Sequence, residues 1–135
     1  MSMKDLKNSR PLSPHLSAYK LQMNMILSMG HRFSGMGLFF GMAIICWWFI
    51  LWVFSDFEPC YLDLLNSNLA QAFLFLVSYG FFYHLCTGIR HLVWDTGRGL
   101  SKSAIDFSGW MVLFFSIVLT AGFWFNIYRG TNIWL

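Results

Sequence analysis

Charged side chains are scarce in this 135-residue chain, where Asp, Glu, Lys and Arg together make up only 11% of the residues. A soluble domain has about a quarter of its residues charged. The chain is also 57% hydrophobic and 20% aromatic, and this composition favours a membrane protein over a soluble one. Its small net charge of +3 contains no run that would predict a nucleic-acid surface, so we expect the lipid bilayer as a partner and no nucleic acid.

Cysteine pairs and nucleotide-binding loops are absent as well. Cys46, Cys60 and Cys86 are the only cysteines, and none of them is separated from another by two residues, as a thiolate site for a metal or an iron–sulfur cluster would require. Two of the three lie in apolar segments, so we interpret them as small buried or lipid-facing residues. No glycine-rich dinucleotide loop precedes a helix. We therefore expect neither a dinucleotide site nor an iron–sulfur cluster in this chain, and we expect no catalytic residue of its own.

Long apolar runs are what the sequence does have. Three of them extend over about residues 33–54, 69–92 and 107–128, and each exceeds the roughly 20 residues that cross a bilayer core as a helix. The backbone of a segment in lipid must pair its own polar groups, and a helix does so within the segment. Membrane strands would instead show alternating polar and apolar residues. The sequence predicts an all-α membrane protein with three transmembrane helices in a domain of residues 33–135.

The N-terminal part, residues 1–32, is expected to lie on one membrane surface and to lead into the first helix. Its first nine residues are polar and lack periodicity. Between Leu16 and Ile26, apolar residues recur at helical spacing with polar residues between them, which indicates a short interfacial segment. We expect this segment to anchor the N-terminus at the membrane surface.

Basic residues predict the orientation. Eight of nine lie in the N-terminal part or near the second loop between apolar segments, and only Arg129 lies on the opposite side. The loop from Ser55 to Asn68 has acidic residues and no basic one. The positive-inside rule then places the N-terminus in the cytoplasm of a bacterium or in the mitochondrial matrix. The eight residues are Lys4, Lys7, Arg10, Lys20, Arg32, Arg90, Arg98 and Lys102.

His84 and His91 are the most informative residues of the second apolar segment. A separation of seven residues returns the second side chain to within roughly 20° of the first on a helix, about 10.5 Å further along the axis. Gly88 lies on that face between them and leaves room for a flat ligand. His84 is deep in the apolar run, where an ionisable side chain is costly and marks a functional site. Such a histidine could equally form a hydrogen bond between helices, but its neighbours favour a cofactor ligand.

Three motifs in this chain resemble the signature of the succinate dehydrogenase cytochrome b subunit family. The first is His84-x-x-x-Gly-Ile-Arg-His-Leu-x-Trp-Asp95. The second and third lie upstream in the family's order, as Arg10-Pro-Leu-Ser-Pro-His-Leu-Ser-Ala-Tyr19 and Ser28-x-x-His-Arg-x-Ser-Gly35. Together they cover 30 of the 135 residues.

The resemblance implies a membrane-anchor subunit of respiratory complex II in a bacterial or mitochondrial inner membrane. Such a subunit forms half of a heterodimeric haem-binding helix bundle, and its electrons pass from succinate to ubiquinone. The implied partners are a second small membrane anchor subunit, an iron–sulfur subunit and a flavoprotein subunit. Since His84 is the only deep intramembrane histidine, counting ligands indicates that another chain supplies the second axial ligand of haem b.

Site residues follow from depth and from the resemblance. We expect His84 to ligate the haem iron, with His91, His31 and Arg32 near the propionates and Gly88 allowing close approach of haem or a helix. Ser28 and Arg32 align with quinone-site residues of the family and supply a hydrogen-bond donor and a cation. Arg90 and Asp95 are interpreted as a structural pair at the membrane boundary.

Two alternatives remain open at this point. A fumarate reductase anchor would use the same residues with electrons flowing in the opposite direction. A non-catalytic membrane assembly protein would use its histidines only for hydrogen bonds between helices. The identity of the quinone, the origin of the chain and any higher oligomer are not determined by the sequence.

Overall fold

The computed structural model describes residue 20, residues 22–55 and residues 59–131, and this part of the chain is helical apart from short connections. Three of its helices are long and apolar enough to cross a membrane, which confirms the predicted fold class. In chain order the helices are α1 (Met23–Phe54), α2 (Pro59–Asn66), α3 (Asn68–Asp95) and α4 (Lys102–Thr131).

Two helices begin earlier than the apolar runs. Helix α1 begins at Met23, whereas the first apolar run begins only at Phe33. Helix α4 begins at Lys102, whereas the third apolar run begins at Phe107. Polar residues near a membrane surface interrupt the hydropathy pattern, but they do not interrupt the backbone hydrogen bonds of a helix. Residues 28–32 are therefore part of α1. The short helix α2 was not predicted.

The connections between helices use ordinary caps. The Ser67 hydroxyl accepts a hydrogen bond from the Ala70 N–H at 3.3 Å, and the Ser101 hydroxyl accepts one from the Ala104 N–H at 3.3 Å, as N-caps of α3 and α4 do. Gly97 and Gly99 have φ angles of 75° and 72°, which glycine adopts without steric cost. The six-residue connection can thus reverse the chain and place α4 against α3.

Helix α3 lies at the centre and packs against both α1 and α4. Leu27, Tyr83 and Val112 form a buried cluster that joins the three long helices, and the Tyr83 hydroxyl donates to the Leu27 carbonyl at 3.1 Å. Further along, Gly41 is buried, and a Cβ there would lie 2.9 Å from Val77 Cγ2. Small residues thus let α1 and α3 approach closely.

Large apolar side chains point away from this core. Phe39 is 72% exposed, Phe54 84% and Leu69 82%. Surfaces of this kind are favourable in lipid or against another membrane subunit and unfavourable in water. The fold is consistent with a chain whose remaining partners are bilayer and protein.

Some sequence predictions lie outside the described residues. Residues 1–19 contain most of the expected interfacial segment, including His15, and residues 56–58 contain two of the acidic loop residues, Asp56 and Glu58. The division into residues 1–32 and 33–135 stays a prediction, although α1 continues through residue 32 without a break.

Candidate functional site

His84 lies on the side of α3 that faces α1. Its imidazole Nδ1 is 3.1 Å from the His31 backbone carbonyl oxygen and 3.1 Å from the Ser34 hydroxyl oxygen. The Ser34 hydroxyl in turn donates to the same His31 carbonyl at 2.9 Å. Both groups of α1 come from one turn of the helix, because residues three apart share a face. Nδ1 is therefore held by α1, and within the described part of the chain no hydrogen bond reaches Nε2.

Three imidazoles gather at this contact. His31 stacks on His84 with ring centroids 4.0 Å apart and an interplanar angle of 11°, and its centroid is 5.1 Å from that of His91. His31 thus lies between the two histidines of α3. Its Nε2 atom is buried without a hydrogen-bond partner, and such an atom in an apolar region is costly unless something binds it. The described residues contain no group of three or more His, Cys, Asp or Glu side chains able to hold one metal ion.

Two glycines near His84 have different surroundings. A Cβ added to Gly35 would lie 3.0 Å from His84 Cε1, so the imidazole of His84 rests against the backbone of α1. A Cβ added to Gly88 would have nothing within 4 Å. The predicted notch beside His84 is therefore open, and no other helix of this chain fills it in the described residues.

Arg90 requires a correction. The sequence suggested that it pairs with Asp95, but its Nε donates to the Ser108 hydroxyl at 2.9 Å and its NH2 group donates to the Ile105 carbonyl at 2.8 Å. The guanidinium carbon also lies 4.0 Å from the centre of the Trp94 ring, a cation–π distance. Arg90 is only 7% exposed, because it points sideways into α4, whereas Asp95 is exposed at the helix end. Arg90 joins α3 to α4 instead.

Ser28 and Arg32 are adjacent on α1 but do not join the histidines. Arg32 is exposed and Ser28 is half-buried, and the side chain of neither residue forms a hydrogen bond or ion pair with another described residue. His31 points toward α3, and Arg32, which follows it, is turned by about 100°. The structure thus brings together His31, His84 and His91 and leaves Ser28 and Arg32 available to a ligand or a partner.

Sequence reasoning missed the contacts that cross between helices. Ser34 and Gly35 belong to the motif that begins at Ser28, yet neither was expected to contact His84, and Ser108 was not considered. A signal for Ser34 was present, because it is three residues from His31 and shares its face. No comparable signal links Arg90 with Ser108, since that contact depends on how α3 and α4 pack.

Known proteins resemble this chain over nearly its whole length. Residues 7–123 match the family described as "Succinate dehydrogenase/Fumarate reductase transmembrane subunit". The chain is 48% identical over 120 residues to the succinate dehydrogenase cytochrome b556 subunit of Rickettsia felis, covering 89% of this chain and 94% of that protein. It is 35% identical over 124 residues to the mitochondrial cytochrome b560 subunit of Mus musculus, covering 88% and 72%. The chain therefore belongs to the family of succinate dehydrogenase and fumarate reductase transmembrane subunits, among the cytochrome b subunits of succinate dehydrogenase.

Proposed function

We propose that this anchor subunit binds one haem b through Nε2 of His84 and shares it with a second membrane subunit. The observation that carries the proposal is that Nδ1 of His84 is hydrogen-bonded to α1, whereas Nε2 has no hydrogen bond to a described residue. Its Nδ1 is 3.1 Å from the His31 carbonyl oxygen. A carbonyl oxygen can only accept a hydrogen bond, so this contact requires a proton on Nδ1, and a ring with that single proton has its lone pair at Nε2. A metal-ligating histidine has this arrangement.

The surroundings of His84 fit a flat cofactor. Gly88 leaves open space on the same helix, since a Cβ added there would meet nothing within 4 Å, and the buried Nε2 of His31 lacks a partner. The porphyrin nitrogens would supply all the remaining ligands except one from a partner, so a cluster of protein ligands is not needed. When bound, haem b would supply one-electron transfer, and this chain would orient one ligating imidazole.

The second axial ligand comes from another chain. His31 stacks face to face on His84 with ring centroids 4.0 Å apart, so these two imidazoles would not hold the haem iron between them. His91 lies beyond His31. Neither histidine is placed to be the second ligand. We assign both of them, with Arg32, to hydrogen bonds with the haem propionates, as the resemblance to the family implies. The other anchor subunit of the complex supplies the remaining ligand.

Ser28 and Arg32 contribute to the ubiquinone-reduction site on the same side. A quinone gains negative charge as it is reduced, so a hydroxyl donor and a guanidinium cation stabilise it. Both side chains are free of intramolecular partners among the described residues, and Arg32 is exposed. Electrons arrive from succinate oxidation through the flavoprotein and iron–sulfur subunits. The similar proteins are named as succinate dehydrogenase subunits, which supports this direction over fumarate reduction.

Replacing the ligand tests the proposal most directly. In the purified native complex, His84→Leu should abolish the bis-histidine haem spectrum or leave a changed axial ligand, while the three helices still insert. His91→Leu is the matched control, because loss of a propionate contact leaves the iron ligated. An unaltered spectrum and electron paramagnetic resonance signal in His84→Leu, with loss of both in His91→Leu, would reverse the assignment.

The orientation completes the proposal and has its own test. The N-terminus and the α3–α4 connection face the cytoplasm or matrix, because eight of nine basic residues belong to that side. In a variant without native cysteines, Asp56→Cys should react with a membrane-impermeant thiol reagent only from the opposite side. Labelling only from the inside would reject the orientation.

A further inference from the structure

Two neighbouring residues of α1, Ser34 and Gly35, contact His84 although neither can bind a metal there. We propose that this pair positions the haem-ligating imidazole, with Ser34 controlling its hydrogen bonding and Gly35 controlling its location. They are positioning residues for the cofactor, and the inference rests on the proposed function of His84.

Ser34 completes a triangle of polar atoms around Nδ1. Its hydroxyl oxygen is 3.1 Å from His84 Nδ1 and donates to the His31 carbonyl at 2.9 Å. That carbonyl is itself 3.1 Å from Nδ1. Since the serine proton is directed to the carbonyl, the serine lone pairs face the Nδ1 proton. The proton is shared between two oxygen acceptors.

Two acceptors on Nδ1 change the electronic properties of the ligand. Hydrogen bonds accepted from the non-ligating nitrogen raise the basicity of the ligating one, and a more basic ligand stabilises the oxidised iron relative to the reduced iron. Removing the serine oxygen should therefore raise the midpoint potential of the haem. It also leaves the carbonyl as the only acceptor, so the ring is held less firmly.

Gly35 sets how closely the ring approaches α1. An added Cβ would lie 3.0 Å from His84 Cε1 and 3.9 Å from Nε2. Cε1 lies between the two ring nitrogens, so a methyl group at position 35 must move the imidazole. This movement shifts Nε2 and changes the distance between Nδ1 and the Ser34 hydroxyl. At Gly37, on the same helix, an added Cβ has nothing within 4 Å. A comparison of alanine at position 35 with alanine at position 37 therefore separates an effect on His84 from a general effect of alanine in α1.

The test compares five variants with the unaltered complex: Ser34→Ala, Ser34→Thr, Gly35→Ala, Gly37→Ala and the control Ser116→Ala. Readouts are haem content, the midpoint potential from a redox titration, and the electron paramagnetic resonance signal of the oxidised haem. Ser34→Ala should raise the midpoint potential with haem still bound. Ser34→Thr should restore the original value, because it keeps the hydroxyl and Ser34 borders a groove of about 490 Å³ that has room for a methyl group.

The glycine variants and a serine control complete the design. Gly35→Ala should weaken haem binding by about 10- to 100-fold, the usual effect of disturbing residues that support a metal ligand, and Gly37→Ala should leave it unchanged. Ser116→Ala is the control for loss of a serine, because Ser116 donates to the carbonyl three residues before it at 2.9 Å, as Ser34 does, but on α4. It should not shift the potential.

Failure of this inference is distinguishable from failure of the proposed function. If His84→Leu loses the haem signal while Ser34→Ala lowers only thermal stability and leaves the potential and the resonance signal unchanged, Ser34 is merely structural and the inference is overturned. If His84→Leu keeps the native signal, the haem assignment itself fails. Equal loss of haem in Gly35→Ala and Gly37→Ala would overturn the role of Gly35.

Discussion

The two sides of α3 satisfy their polar groups in different ways. Toward α4, the guanidinium of Arg90 bonds to Ser108 and Ile105 and stacks on Trp94, and the Trp124 indole donates to Ser78. Toward α1, His31 Nε2 is buried without a partner and Nε2 of His84 has none within the described chain. Polar atoms inside a bilayer cannot form hydrogen bonds with water. We therefore interpret the paired groups as contacts that hold helices together and the unpaired ones as candidates to bind a ligand. The side facing α1 is therefore the side where we expect the cofactor.

Replacing Arg32, on the side that faces α1, should give the largest effect. Arg32→Ala should reduce succinate:quinone turnover by roughly tenfold to a hundredfold, because a cation near the reduced quinone is lost. Oxidation of succinate by a soluble artificial acceptor should persist, since that reaction does not use the quinone site. Ser28→Ala should also reduce succinate:quinone turnover. The control is Arg98→Ala, an exposed arginine in the α3–α4 connection, and equal loss of both activities would indicate failed assembly.

Gly88→Ala should affect the cofactor without affecting the fold. The added methyl group has nothing within 4 Å in this chain, and alanine stabilises a helix interior by about 0.5–1 kcal/mol relative to glycine. We expect stability to be maintained while haem content falls, because the methyl group occupies the notch beside His84. Gly122→Ala, which also meets nothing within 4 Å, is the matched control. Full haem content in both variants would show that the notch does not approach the cofactor.

Arg90→Ala should have the smallest effect, and it should be an effect on stability. Hydrogen bonds between membrane helices contribute about 0.6 kcal/mol on average, with a maximum near 1.7 kcal/mol, so losing two of them should lower the free energy of unfolding by about 1–2 kcal/mol. Unfolding in detergent measures this change, with Arg98→Ala again as the control. The haem spectrum should not change. A lost spectrum at unchanged stability would place Arg90 on the cofactor side and break the comparison.

Hydropathy and spacing predicted much of the molecule correctly. Three runs of apolar residues became three long helices, because helix formation in lipid depends on local hydrogen bonds and on side chains that tolerate hydrocarbon. The shared face of His84 and His91 followed from helical geometry alone. Bounds were less accurate at the membrane surface, where α1 and α4 continue into polar sequence.

Contacts between helices were decided only by the tertiary structure. The sequence determined which residues share a face of each helix. It thereby identified His84 as a candidate ligand and Gly88 as the open position beside it. It could not determine that His31 stacks on His84, that Ser34 lies 3.1 Å from its Nδ1, or that Arg90 bonds to α4 and not to Asp95. The reason is physical: spacing fixes the angle of a side chain about its own helix axis, whereas the rotation and depth of the neighbouring helix depend on packing of small residues over many turns.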